Sequence, residues 1–565
     1  RGVLENLRQF MKNEGLDSFF VKANDEYLNE YTPLPINARY YVTRFTGSTG
    51  DALVTPDKVH LFLDGRYHQQ ADNEVDPEIV TVVKLGMHQS QKDALLEILG
   101  EKTHKLGLVS SKISLFSYNK MLEEFKNLEI IEYDYDPVLN YVSKQKNTQS
   151  SCKLREIPTA ISGTTPDQKL EDIKISDVDV LVLTKLEEIA YLCDLRGKHI
   201  AFSSSFEAKA VIDNHKAYVF MDTESLPENL DTQIRKNFEF LPENEFKNHI
   251  KKLSNKNLKI GIIETSTNLL TYRQLENSGN EIVILKTSPV SDMKAVKNSS
   301  EIAHMKSCFL STDIVMSRLR TWLAQELESG NKISEKDLSN KVKQLFEEEG
   351  AYSLSFEVIS SCGTNTSIIH YSNPDPEKYI NKADLILIDC GAYFEGGYAT
   401  DITRTFLAGV DVEPSQEQKT VFTTVLRAFF HGLNYPVNDK TSGYDIDKAV
   451  RDVINANLPE GFSFAHGTGH GVGISVHEDP PRISPAESAK APLVPGMVFT
   501  IEPGIYKDGW GGVRLENTVL LTEKDGKRVI QSFARSGFDL RLVDYTLLSD
   551  QEKQWLDNYQ KKAIS

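Results

Sequence analysis

The sequence has no apolar run approaching the roughly 18 residues of a membrane span, which argues against a spanning segment. Its opening, Arg1-Gly2-Val3-Leu4, lacks an initiator Met and so reads as trimmed or processed, and it alternates with charge instead of building a signal core. Cysteine is scarce: Cys152, Cys193, Cys308, Cys362 and Cys390 are odd in number and widely spaced, with no CxxC pair. That usage fits a reducing compartment and predicts a cytoplasmic protein. Basic residues are outnumbered, 64 Lys and Arg against 81 Asp and Glu, for a net charge of −17. With no basic stripe interleaved with aromatics, nucleic acid and anionic membrane surfaces are disfavoured as partners.

What is present is ample core. At 565 residues, 40% hydrophobic and 26% charged, the chain has the composition of a globular protein needing no covalent staples. A prior of about 150 residues per domain gives three or four domains. Val3, Leu4, Leu7, Phe10 and Met11 lie at helical spacing before Gly15, and Asp17 to Val21 reads as a strand. Leu53-Val54, the turn Pro56-Asp57 and Val59 to Asp64 form a hairpin. The tract Gly47 to Gly50 just before it lacks the lysine of a phosphate-binding loop.

A similar order recurs from Val180 to Asp222, and LVTPDKVHLFLDGR compares with AVIDNHKAYVFMDT. The chain therefore carries two copies of one α/β domain. The polar tract Ser143 to Gly163 has linker composition, and a second boundary falls near Ser288 to Ser291, giving domains 1–150, 151–290 and 291–565. In the third, Asn298 with Glu301, Ser334, and Ser549 with Glu552 start helices, while Phe356 to about Leu521 reads as strand-rich.

Within that last stretch stand Asp389 in LILIDCGAY, Asp401 in ATDITRTF, His470 in AHGTGHGVG, Glu502 in VFTIEPGIY and Glu516 in GVRLENTVL. Three of these four carboxylates end or interrupt runs that otherwise read as buried strand, and a buried ionised carboxylate needs a partner. Two divalent cations would set four positive charges against four negative ones, and sites about 3.5–4 Å apart are the usual two-metal arrangement for hydrolysis. An oxygen-rich set with one imidazole suits manganese, with cobalt or zinc as substitutes. Scattered strand-end acids making salt bridges are the plainer alternative for any one of the residues alone.

The order Asp, Asp, His, Glu, Glu, set in DCG, TDITRT, HGTGHGVG, EPGIY and VRLEN, resembles the metal site of the pita-bread metallopeptidases. Within them it is most similar to the aminopeptidase P family in its long three-domain form. The resemblance implies two creatinase-like α/β domains and a C-terminal pita-bread domain, two bound manganese ions, a homodimer, and peptides with proline in second position as substrates. It also implies roles. Asp389 would bind one ion, Asp401 and Glu516 would bridge, His470 would be a ligand, and Glu502 would be ligand and general base for a metal-bridging hydroxide. His370, His466 and His477 would line the pocket, with His370 and His477 on the scissile carbonyl.

Phe356 and His370 in SFEVISSCGTNTSIIHY match the substrate-facing segment, and Arg66 in DGRY matches a residue near the site across a dimer or domain interface, with a surface salt bridge as its alternative. Arg514 is placed to orient carboxylates, and Tyr506 to touch substrate or fill core. The step of 12 residues from Asp389 to Asp401 is one longer than the family pattern. That predicts a longer turn or a bulge between two aspartates that face each other on paired strands. The ending LVDYTLLSDQEKQWLDNY resembles the family's C-terminal extension. Two other readings stay open: a prolidase cleaving Xaa-Pro dipeptides, and a non-catalytic pita-bread binding module.

Overall fold

Two stretches of the chain fold to one topology. The computed structural model describes residues 2–86, 91–100, 102–142, 152–175, 177–214 and 216–564, in two compact units. One comprises Arg1–Glu156, Thr165–Ala201 and Ser205–Val290, the other Ile157–Thr164, Phe202–Ser204 and Ser291–Ser565.

In the first unit, β1 (Ser18–Val21), β2 (Asp51–Val54), β3 (Val59–Leu63), β4 (Val80–Lys84), β5 (His104–Val109) and β6 (Leu128–Tyr133) form a sheet ordered β4-β3-β2-β1-β5-β6. A second sheet holds β7 (Val180–Leu183), β8 (Ala208–Asp213), β9 (Lys216–Met221), β10 (Phe238–Pro242), β11 (Lys259–Ile262) and β12 (Glu281–Ile284), ordered β10-β9-β8-β7-β11-β12. Strand senses match as well: two antiparallel steps from the central strand on one side, then parallel pairs at both edges. β1 and β7 are buried along their whole length, as central strands covered on both faces must be. The helix Gly2–Glu14 buries Leu4, Leu7 and Met11 and ends before Gly15, whose φ of +66° only glycine adopts at no cost.

The duplicated hairpins are thus duplicated sheets. Phe20, Leu53, Phe62 and Leu108 of one share an apolar core with Val180, Val182, Val211 and Ile260 of the other. Of the tract read as a linker, residues 143–151 lie outside the described residues. Its remainder is ordered: Arg155–Glu156 pairs with Leu195–Arg196, and Thr159–Ser162 is a helical turn.

The first long helices of the second unit are α1 (Ser299–Glu328) and α2 (Glu335–Glu348), opened by capping boxes from Asn298 with Glu301 and Ser334 with Asp337. The stretch read as strand-rich contains two long helices, α3 (Gln416–Leu433) and α4 (Gly443–Asn457). Each also opens on a capping box, Ser415 with Gln418 and Ser442 with Asp445. The strand periodicity on either side of them dominated the sequence pattern.

Between and after the helices run β13 (Ile359–Cys362), β14 (Leu385–Cys390), β15 (Ile402–Leu407), β16 (Gly469–Gly471), β17 (Glu478–Ile483), β18 (Val498–Ile501), β19 (Gly504–Lys507), β20 (Gly511–Arg514), β21 (Glu516–Lys524) and β22 (Lys527–Ser532). The large sheet has the order β13-β14-β15-β21-β18-β16-β17, with β22 on β21, and β19-β20 is a separate hairpin. Phe422, Val425 and Phe429 of α3 and Ile446, Val450 and Ile454 of α4 pack with Phe499, Ile501, Val519 and Leu521 of the sheet. Strand alternation then turns Thr500, Glu516 and Thr518 to the other face. The final helix α5 (Asp550–Gln560) opens on the Ser549 and Glu552 box. Among the described residues no helix is long and apolar enough to cross a membrane.

Candidate metal centre

Sheet order brings five separated residues to one edge. β14 to β15, β15 to β21, β21 to β18 and β18 to β16 all pair antiparallel, with Cys390 across from Ile402, Thr403 from Glu516, Asn517 from Ile501 and Gly471 from Phe499. Asp389 near the end of β14, Asp401 just before β15, Glu516 at the start of β21, Glu502 just after β18 and His470 in β16 therefore converge. Close backbone approach is required here: a Cβ at Gly469 would stand 1.9 Å from the Thr500 carbonyl oxygen, and one at Gly391 1.8 Å from that of Thr400.

The strands carrying the two aspartates do pair, but Asp389 lies across from Thr403, two residues beyond Asp401. The longer step is taken up in the connection, which carries the short strand Ala392–Tyr393 and a turn with Gly397 at φ +68°, while β14 and β15 stay in unbroken register.

Asp401, His470 and Glu516 offer ligand atoms that all lie within 4.8 Å of one another. His470 Nε2 is 3.4 Å from Asp401 Oδ2 and 3.6 Å from Glu502 Oε1. Its Nδ1 faces the Gly471 carbonyl at 3.0 Å, so Nδ1 carries the proton and donates it. Nε2 then turns a lone pair toward carboxylate oxygens, an arrangement of acceptors that a cation would satisfy. Among the described residues, two oxygens of the cluster, Asp389 Oδ1 and Glu516 Oε1, are buried with no hydrogen-bond partner. Burial first, then the charges of Asp389 and Glu502, push the Asp401 carboxyl well above the usual carboxylate range. Glu516 is raised in the same way by burial and by Asp401 and Asp389. This donor set fits divalent cations.

The other carboxylate oxygen of Asp389 and of Glu516 is held by the protein. Thr403 Oγ1 donates to Glu516 Oε2 at 2.6 Å, and Thr518 Oγ1 donates to the Asp401 carbonyl at 2.9 Å. Arg514 Nη2 donates to Asp389 Oδ2 at 2.8 Å and to the Ile369 carbonyl at 3.2 Å, and Nη1 donates to Tyr506 Oη at 2.9 Å. Tyr506 Oη lies 2.7 Å from His466 Nε2, and His466 Nδ1 lies 2.8 Å from the Gly467 carbonyl, so His466 Nδ1 is the donor there and Nε2 accepts from Tyr506. Tyr506, pushed up to about 12 chiefly by burial, thus joins the Arg514 guanidinium to His466.

The His477 ring stands edge-on to His470 with centroids 4.3 Å apart. Glu478, next to it, is clamped by Lys294 Nζ at 2.7 Å and Lys297 Nζ at 3.6 Å. Burial would raise that carboxyl, but the two ammonium groups outweigh it and hold it down to about 2. His370 follows Ile369, whose carbonyl Arg514 holds. Phe356 is buried beside Ser355, whose hydroxyl donates to the Thr400 carbonyl at 2.8 Å. Arg66 lies in the first unit in a forked pair with Asp64, at 2.8 and 2.9 Å. The sequence did not single out Thr500, Thr518, Glu335 or Glu478. For the threonines the signal was their parity within VFTIE and ENTVL, and for the two glutamates there was none, because their partners are remote.

The signature of metallopeptidase family M24 spans residues 303–523, and signatures of the creatinase/prolidase N-terminal domain span 4–138 and 144–301. An uncharacterized peptidase of Schizosaccharomyces pombe is 32% identical over 100% of this chain and 95% of its own length. The chain belongs to metallopeptidase family M24, with two creatinase/prolidase N-terminal domains ahead of the peptidase domain. A protein of Laccaria bicolor named "Probable Xaa-Pro aminopeptidase P" is 30% identical over 98% of this chain and 88% of its own. Among solved structures, the X-prolyl aminopeptidase from Caenorhabditis elegans, described as a cytosolic enzyme with a di-nuclear active site, superposes with a TM-score of 0.90 at 24% identity. It covers 99% of this chain and 94% of that one. The Xaa-Pro dipeptidase from Bacillus anthracis, at 25% identity and TM-score 0.54, covers 66% of this chain and 98% of its own.

Proposed function

We propose that the protein is a metal-dependent aminopeptidase that hydrolyses the bond between an N-terminal residue and a penultimate proline. The observation that carries the metal part is the trio Asp401, His470 and Glu516, with unsatisfied buried oxygens on Glu516 itself and on Asp389. The proline specificity rests on relatives such as that of Laccaria bicolor. Asp389, Asp401, His470, Glu502 and Glu516 form the ligand set of two divalent ions, and manganese is the native ion on the hardness of four carboxylates with one imidazole. When bound, such ions lower the pKa of water toward neutrality and draw charge from a carbonyl.

Glu502 is the ligand placed for proton work. Its side chain is 18% exposed against 5% for Asp401, so it borders the pocket as well as the cluster. It takes the proton of the attacking water and delivers it to the proline nitrogen as the amide bond breaks, leaving a free amino acid and a peptide with an N-terminal proline. His370 and His477 donate to the carbonyl oxygen as negative charge builds there, and His466 lines the pocket with its ring orientation set by Tyr506. A tertiary amide has no N–H for a protease to grip, so recognition falls to the ring and the carbonyl, with Phe356 as an apolar wall. We assign domains to 1–150, 151–290 and 291–565, and place the enzyme in the cytoplasm as a homodimer in which Arg66 approaches a pocket.

The test is release of the first residue from an Xaa-Pro-Xaa tripeptide by chelated protein before and after added Mn2+, with an Xaa-Ala-Xaa peptide and an Xaa-Pro dipeptide alongside. Mn2+-dependent cleavage of the Xaa-Pro-Xaa substrate alone is expected. Cleavage confined to the dipeptide would make the protein a prolidase, and neither cleavage nor metal uptake would make it a binding module.

A further inference from the structure

The family M24 signature ends at residue 523, yet the chain beyond it closes on the back of the metal-binding strands. The link is Arg404, which is almost fully buried on β15, three residues after Asp401. Its Nη1 donates to the Thr403 and Glu516 carbonyls, each at 2.8 Å. The other side of the same guanidinium faces the C-terminal segment. Nε and Nη2 donate to the Ser536 carbonyl at 3.2 and 2.6 Å, and Nη2 also donates to Tyr559 Oη at 3.0 Å and to Asn517 Oδ1 at 2.7 Å. Phe538 lies under the guanidinium, 4.6 Å from ring centroid to Cζ.

Tyr559 on α5 serves both strands at once. Its Oη accepts from Asn517 Nδ2 at 2.9 Å, one residue from Glu516, and donates to the Ser536 carbonyl at 3.0 Å. Ser536 is itself fixed from α1: Asp313 accepts from the Arg535 and Ser536 amides at 2.8 and 2.9 Å and from Ser536 Oγ at 2.8 Å. All three functional nitrogens of Arg404 are therefore held by groups that sit either beside the site carboxylates or on the C-terminal segment. Thr403, whose carbonyl Arg404 holds, is the residue whose hydroxyl fixes Glu516 Oε2.

We propose that Arg404 and Tyr559, joined through the Ser536 carbonyl, are positioning residues that set the relative register of the Asp401 and Glu516 strand ends. This rests on the ligand assignment made above. Ligands spaced within a few tenths of an ångström need strands that cannot slide, and outer partners of metal ligands commonly change metal affinity by about 10–100-fold. Packing alone would be served by the apolar residues of α5; the polar network is aimed at the strands that carry the ligands.

The experiment measures Mn2+ affinity of the full-length, chelated protein against a competing chromophoric chelator, with thermal melting of the same metal-free samples. Arg404→Lys keeps the charge but not the fork and should weaken Mn2+ by about 10–100-fold. Tyr559→Phe removes one hydroxyl and should weaken it by about threefold to tenfold, the worth of a buried hydrogen bond. It decides the matter alone should the lysine variant fail to fold. Trp555→Ala is the control: one turn before Tyr559 on α5, its ring packs against His431 of α3 and touches none of the groups that Arg404 holds, so it should lower the melting temperature and leave Mn2+ affinity at the wild-type value. Wild-type affinity in Tyr559→Phe, or equal weakening in Trp555→Ala, would overturn the proposal and leave the segment as packing. Wild-type protein that takes up no Mn2+ at all would instead overturn the ligand assignment itself.

Discussion

Arg514 and Asp389 form a buried pair in which Nη2 donates to Oδ2 at 2.8 Å, leaving Oδ1 without a hydrogen-bond partner. Burial works against the guanidinium charge, but Tyr506 and Asp389 outweigh it and hold Arg514 above its usual value. The arginine thus fixes one oxygen and aims the other. Removing one partner of a buried pair costs about 3–5 kcal/mol because the other charge is stranded. Arg514→Leu should therefore lower the melting temperature and the metal affinity together. Arg514→Lys can reach one of Asp389, Tyr506 and the Ile369 carbonyl but cannot fork between them, so it should retain the fold and lose about 10–100-fold in Mn2+ affinity. Competition with a chelator reads this directly, and a lysine variant that binds like wild type would show that the fork has no role.

The raised Asp401 and Glu516 carboxyls give the metal-free protein a pH dependence of definite sign. A carboxyl whose folded pKa lies above its unfolded value of about 4 stabilises the fold fully below that value, and the contribution is lost as pH rises through the folded one. Metal-free protein should melt at progressively lower temperature from about pH 5 to about pH 8. Because cations replace the protons, added Mn2+ should raise the melting temperature more at the upper pH than at the lower. Equal shifts at both would mean that the ions do not compete with protons at these groups.

The five clustered residues were legible because carboxylates and histidine in apolar strand sequence are costly without a partner, and the cost is visible in a string of letters. Capping boxes were legible in the same way at Asn298 and Ser549. The same signals at Ser415 and Ser442 are masked by the strand alternation around both helices, although Val421, Phe422, Val425 and Phe429 repeat at helical spacing. Register was not legible. Nothing local states that Asp389 lies across from Thr403, because the connection carries a short strand of its own before the chain returns. Nor does sequence reveal Arg404 meeting Tyr559, 155 residues on, since a hydrogen bond of that span is a property of the folded sheet.

In the first unit, Glu207 carries a second pH signal. Burial, followed by the charges of Asp25, Glu243 and Glu26, pushes its carboxyl up to about 7. Its contribution to stability is present below the unfolded pKa of about 4.3 and is lost as pH rises through about 7. Glu207→Gln keeps the shape without the charge. It should increase hydrogen-exchange protection of the adjoining strand Ala208–Asp213 at about pH 8 and leave it nearly unchanged at about pH 5. Greater protection at the acidic pH only would reverse the sign and refute the assignment.

Glu335 tests whether a histidine can be displaced without touching the metal. Fully buried at the first turn of α2, its carboxylate accepts from the Cys362 amide at 2.8 Å, Asn365 Nδ2 at 3.1 Å, Tyr371 Oη at 2.6 Å and the Asp375 amide at 3.3 Å. These donors span the loop that carries His370, so one carboxylate organises the whole segment. Glu335→Gln sets an amide nitrogen against at least one of those donors, and the loop must give way. His370 is expected to move by a fraction of an ångström to an ångström, a displacement that can cost about 100-fold in rate. The loss should fall on kcat for an Xaa-Pro-Xaa substrate, because in the proposed mechanism the histidine acts as charge develops on the carbonyl, while Mn2+ content and affinity stay at wild-type values. Glu335→Asp, which keeps the charge on a shorter arm, should recover part of the rate. A parallel fall in Mn2+ affinity and kcat would show instead that Glu335 supports the domain as a whole and that His370 is not its specific charge.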